Sequence, residues 1–208
     1  MKDLFVLVAD IDIERTIKTL LQYRRPSLDI KDLSFDLERY SDRDSGLRDH
    51  GLEFIRNYQR DYKKFILVFD YEGCGADDPP ETIRKNLLQA ARKYGFNSEQ
   101  IEIIIIKPEF EIWVWKSRHH LGNLVDWNEE RVNVWLWQNF KLRKDCKPEH
   151  PKEIYNKLLS DRKKPISSEN FEILAKKTGL KNCQDPAFQL LVETLRKWFP
   201  KENNKKRR

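Results

Sequence analysis

The chain has 208 residues and a formal net charge of +6, enough for one well-buried core with peripheral helices and short for two independent domains. No stretch approaches the roughly 18 consecutive apolar residues of a membrane span, and no cleavable signal pattern precedes the first strand-like segment, so a cytoplasmic protein without a membrane partner is expected. Cys74, Cys146 and Cys183 are odd in number and far apart; they fit neither a disulfide framework nor a compact zinc site and read as free thiols.

In chain order, Leu4 to Ala9 is an apolar run of strand length, followed by Ile13, Ile17, Leu20 and Leu21 at helical spacing. A second strand is expected around Ile30 to Tyr40, where Leu33, Phe35 and Leu37 alternate with polar residues. Ser41 to Gly51 has the composition of a loop, and Leu52, Ile55 and Tyr58 mark a short helix after it. Phe65 to Phe69 is uniformly apolar, as a central parallel strand covered on both faces must be. It stops at Asp70-Tyr71-Glu72-Gly73-Cys74-Gly75, a turn. Pro79-Pro80-Glu81 opens a helix to about Tyr94, and Ile101 to Ile106 forms a further strand, with Glu102 interrupting it near its entrance. The resulting β-α-β-α-β-α-β pattern predicts an α/β fold with a mainly parallel sheet and helices on both faces.

After Lys107 the pattern changes to an aromatic segment, Phe110, Trp113 and Trp115, and then to helices near 128–140, 151–160, 168–178 and 186–199. Asp185-Pro186 supplies a helix cap and first turn. Trp127, Trp135, Trp137 and Trp198 are expected to pack helices onto the sheet rather than stack on bases. The chain therefore divides into an α/β core over 1–125, a helical extension packed on it over 126–200, and a disordered basic tail over 201–208. Residues 1–125 carry 20 basic and 22 acidic side chains, a balance of −2, whereas 126–208 carry 20 and 12, a balance of +8. An acidic half beside a basic half suits cation binding at one place and polyanion binding at another.

The chemistry concentrates at strand ends. Asp10 and Glu14 follow the first strand, Asp70 and Glu72 the third, and Glu109 and Glu111 the fourth. Parallel sheets place their sites at the carboxyl ends of strands. Carboxylates converging there would repel one another, raising their proton affinities or requiring cations, and hard oxygen ligands favour Mg²⁺ or Mn²⁺.

These segments, V-A-D-I-D-I-E, V-F-D-Y-E-G-C-G and K-P-E-F-E-I-W-V-W, resemble the Toprim-like domain of the overcoming-lysogenization-defect family nucleases. The resemblance is greatest to small stand-alone relatives in phage-defence operons, including methylation-associated defence systems. It covers roughly residues 4–160, with D-P-A-F and W-F near the end also similar. It implies a Mg²⁺- or Mn²⁺-dependent nuclease in which Asp10, Glu14, Asp70, Glu72, Glu109 and Glu111 hold metal. Lys152, in K-P-E-H-P-K-E, matches the family's lysine and would stabilise charge on a phosphodiester. Three positions depart from the family's pattern: Asp10 replaces a glutamate, Ile11 a glycine, and Glu72 the second aspartate of an Asp-x-Asp pair. Charge is kept, but ligand reach changes by one methylene at two places.

Other residues read as ordinary structure. Arg43, Arg48 and His50 lie in the Ser41–Gly51 segment, where a phosphate contact competes with simple solvation. His119 and His120 have no partners at metal-ligand spacing. Gly73 and Gly75 do not make a nucleotide loop, because the G-K-[ST] ending is missing. The expected activity is phosphodiester hydrolysis of DNA or RNA in anti-phage defence, with an ATPase or other defence-operon protein as a partner. The rival readings are a non-catalytic subunit of a defence complex and a nucleic-acid-binding module driven by the basic half.

Overall fold

The computed structural model describes residues 1–179 and 183–201. The basic tail from position 202 onward lies outside the described residues. Four strands, β1 (Lys2–Val8), β2 (Phe35–Arg39), β3 (Tyr62–Asp70) and β4 (Ile101–Ile106), pair in the order β2-β1-β3-β4 with every neighbour parallel. The chain moves outward from β1 to β2 and returns past β1 to β3. The crevice between the carboxyl ends of β1 and β3 is thus the topological switch point, where ligands of such sheets bind.

Strand alternation sorts the core into two layers. Leu4, Val6, Val8, Ile66, Val68, Ile104 and Ile106 face one cluster, and Phe5, Leu7, Phe65, Leu67, Phe69, Ile103 and Ile105 the other. The first layer is covered by α1 (Ile11–Tyr23), the short α2 (Arg25–Leu28) and the C-terminal helices; the second by α3 (Arg43–Arg56) and α4 (Pro80–Lys93). Glu102, in β4, is neutralised by a two-pronged pair with Arg84 of α4 at 2.8 and 2.7 Å, which explains how a charge is accommodated in that strand.

Past β4 a 3₁₀ segment (Phe110–Lys116) leads into α5 (Arg118–Leu124), α6 (Glu129–Asn139), α7 (Pro151–Asp161), α8 (Glu169–Lys177) and α9 (Pro186–Trp198). The helical extension predicted from sequence is present. It shares one continuous apolar cluster with β1, β3 and β4. Asp185 caps α9 by accepting the Phe188 N–H at 3.0 Å and also accepts Trp113 Nε1–H at 2.8 Å, tying the 3₁₀ segment to that helix. No helix of the described residues is long and apolar enough to cross a membrane.

Three expectations are corrected. Ser41 to Gly51 is not a loop: α3 begins at Arg43. Its glycines serve packing, since a Cβ at Gly51 would lie 2.9 Å from the Leu67 side chain, so glycine lets α3 settle onto β3. The second strand is shorter than the 30–40 segment, because Ile30 instead bridges Pro200 in an isolated antiparallel contact. Trp137 does not pack on the core but is 63% exposed; Trp127, Trp135 and Trp198 do pack against it.

Candidate functional site: an acidic crevice at the carboxyl ends of β1 and β3

Asp10 follows β1 in an extended conformation and caps α1, its Oδ1 accepting the N–H groups of Asp12 and Ile13 at 2.9 Å each. Capping fixes this carboxylate over the first turn. Asp12 therefore joins it in the crevice, half-buried, and burial together with the Asp10 charge pushes its carboxyl up to about 6. Glu14 has no side-chain hydrogen bond or ion pair among the described residues.

Asp70 is the last residue of β3 and is only 4% exposed. Its backbone N–H donates to Asp44 Oδ1 at 2.8 Å. Asp44, in the first turn of α3, thus reaches across to the strand end. Gly73 is required by this closure: a Cβ there would stand 2.4 Å from Asp44 Oδ2. Burial first, then the charges of Asp44, Asp10 and Glu111, hold the Asp70 carboxyl well above the usual carboxylate range, offset in part by the Phe110 backbone N–H. Burial and the Asp10 charge raise Asp44 as well, against the bond from the Asp70 N–H.

The 3₁₀ segment brings the third group. Glu111 is 3% exposed, and burial pushes it up to about 7 despite the opposing pull of Lys152. Glu109, at the segment's entrance, accepts the Lys152 backbone N–H at 3.0 Å, while Trp115 Nε1–H donates to the Pro151 carbonyl at 3.0 Å. These two bonds dock the start of α7 against the segment. They bring Lys152 Nζ to 3.8 Å from Glu111 Oε1. Desolvation works against the ammonium, but Glu111, Glu109, Asp70 and Asp10 outweigh it and raise its proton affinity. Tyr155, one turn along α7 and buried, is pushed up by burial and then by the charges of Asp12 and Glu111.

Of the residues predicted from sequence, the structure brings together Asp10, Asp70, Glu111 and Lys152, with Glu109 beside the lysine. Glu72 is exposed, just past the strand end, with its N–H on the Pro108 carbonyl at 3.0 Å. Its charge reaches Glu109 rather than Asp70. Asp12 and Asp44 belong to the crevice and were missed. Arg48 pairs with Asp49 at 2.8 Å, and Arg43 and His50 are exposed. His119 and His120 meet edge to face, ring centroids 5.1 Å apart.

Two buried oxygens in the crevice, Asp70 Oδ1 and Glu111 Oε2, have no hydrogen-bond partner among the described residues. Such orphans normally await a ligand or solvent. The donor set is all hard oxygen, as Mg²⁺ or Mn²⁺ requires. Among the described residues no three acidic, histidine or cysteine side chains already form a metal cage, so binding would need the carboxylates to draw in. An apolar cavity of about 50 Å³ adjoins the 3₁₀ segment, lined by Thr16, Phe110, Trp113, Leu174 and Phe188 among others. None of its lining residues is acidic, in contrast to the crevice.

No family model, curated protein or solved structure matches the chain significantly. The geometry therefore carries the functional argument.

Proposed function

We propose that the protein is a Toprim-like, Mg²⁺- or Mn²⁺-dependent phosphodiesterase of nucleic acid, working in the cytoplasm in anti-phage defence with a further defence protein as partner. The observation that carries the reading is the pair of unpartnered buried oxygens on Asp70 and Glu111 at the sheet's switch point. A folded protein retains uncompensated carboxylates at a cost in stability, and a functional ligand is the usual reason.

Asp10, Asp70 and Glu111 would hold the cation, with Asp12 and Asp44 adding charge around it. The resemblance adds Glu14, Glu72 and Glu109 toward the rim. A divalent ion bound there would polarise a phosphoryl oxygen and supply hydroxide near neutral pH. The chain's own contribution is position. Asp44 and Gly73 fix the β3 end, the bonds from Lys152 N–H and Trp115 fix α7, and from there the Lys152 ammonium would meet the charge growing on the phosphate. The balance of +8 over 126–208 supports a polyanion as substrate.

The test is incubation of pure protein with plasmid, single-stranded DNA and tRNA, in Mg²⁺, in Mn²⁺ and in EDTA, beside an Asp70→Ala control. Cleavage that needs metal and Asp70 is expected. Salt-dependent binding that persists in EDTA without any cleavage would favour the non-catalytic binding module instead.

A further inference from the structure

We propose that Lys152 is the resident counter-ion of the acidic crevice, lying where a divalent cation binds and being displaced when one enters; this rests on the metal reading above. The crevice contains Asp10, Asp12, Asp44, Asp70 and Glu111, and Lys152 is the cation that acts on its members from α7. Its ammonium is 3.8 Å from Glu111 Oε1, too long for a committed hydrogen bond and short enough for strong attraction. One oxygen of that same carboxylate and one of Asp70 remain unpartnered, although the residues are only 3% and 4% exposed. One ammonium thus serves several acids without satisfying any of them fully.

The lysine is also built to leave. Its backbone is fixed, at the Pro151-led start of α7 with its N–H on Glu109, yet its side chain is 47% exposed. A long flexible stem on a rigid base can swing its head into water with little cost to packing. Divalent and lysine charges a few ångströms apart would repel, so occupancy by one disfavours the other. In the displaced position the ammonium still borders the crevice, where it can meet a phosphate oxygen.

Lys152→Met keeps the stem and removes the charge. In EDTA the variant should melt about 2–4 °C or more below the wild type, because the acids lose their counter-ion. In Mn²⁺ titrations followed by calorimetry its affinity should rise about tenfold or more over wild type, as one like charge is gone. Lys152→Arg should stay near wild type in metal-free melting. Unchanged melting together with unchanged or weaker Mn²⁺ binding in Lys152→Met would overturn the proposal. Absence of Mn²⁺ binding by both proteins would instead overturn the metal reading beneath it. Should Lys152→Met fail to fold, the Glu111→Gln/Lys152→Met double variant removes one charge of each sign. Restored folding supports the counter-ion role, and continued failure contradicts it.

Discussion

The two ends of the parallel sheet use the same side chains in opposite ways. At the amino end, Asp3 takes Lys63 Nζ at 2.9 Å and both donors of Ser34, and Asp36 takes Lys2 Nζ at 2.6 Å and the Tyr62 hydroxyl. Those bonds, from Lys63 and Ser34 on one and from Lys2 and Tyr62 on the other, lower the proton affinity of both carboxyls. At the carboxyl end, Asp12, Asp44, Asp70 and Glu111 are all shifted upward, by burial first and then by neighbouring carboxylates, Asp10 among them in every case. The first arrangement is what a fold does with acids it uses for cohesion. The second costs stability, and it is the feature on which the proposed cation site rests.

The sharpest way to break this contrast is to remove a charge at each end. Asp70→Asn should lower metal-dependent cleavage by about 100-fold or more while leaving metal-free stability unchanged or raised, since it relieves repulsion. Activity assays beside thermal melting in EDTA would show the two quantities moving apart. A strongly destabilised Asp70→Asn would mean that the carboxyl end is structural after all.

pH separates the ends next. Asp12 and Glu111 hold protons in the folded state up to about 6 and about 7, above their values in the unfolded chain. Their stabilising protonation is complete below about pH 4 and is lost as pH rises through those values. Metal-free stability should therefore fall by about 1–3 kcal/mol between pH 4 and pH 7. His120, whose ring burial disfavours the proton, gives a smaller slope of opposite sign. Urea unfolding across that range measures the sum, and saturating Mn²⁺ should flatten it, because the cation favours the charged carboxylates.

Gly73→Ala would press a methyl onto the Asp44 carboxylate, which is already committed to the Asp70 N–H. A loss of about 1–2 kcal/mol in unfolding free energy is expected, with a parallel loss of cleavage. Asp36→Asn should be the mildest change. It breaks a partly exposed pair and should cost about 0–1 kcal/mol, with cleavage unaffected.

The fold was largely legible because strand period and helix period dominate the core: Phe65 to Phe69 is uniformly apolar and forms an interior strand, and Ile101 to Ile106, at the sheet edge but covered on both faces, is nearly as apolar. Asp70, Glu111 and Lys152 were legible as charges beside such strands or in the resembling motif. Asp12 and Asp44 were not, for separate reasons. Glu14 is one helical turn beyond Asp10 in sequence, but Asp10 is a cap with an extended backbone, and it is Asp12 in the first turn that the Asp10 charge acts on. Asp44 lies in a segment rich in Asp, Ser and Gly that reads as a loop, and only packing of Leu47, Gly51, Leu52 and Ile55 makes it a helix. Glu72 was grouped with Asp70 as a neighbour at the same strand end and through the resembling Asp-x-Asp pair. The strand ends at Asp70, and the turn closed by Cys74 N–H on the Tyr71 carbonyl carries Glu72 outward.

The central claim is that the acids at the carboxyl end form one divalent-cation site. Calorimetric titration of Mn²⁺ into metal-free wild type and Asp70→Asn tests it most directly. Saturable binding to the wild type is expected, with a rise in melting temperature, and binding weakened at least about tenfold in the variant. Equal binding to both proteins, or none to a folded wild type at millimolar Mn²⁺, would contradict it.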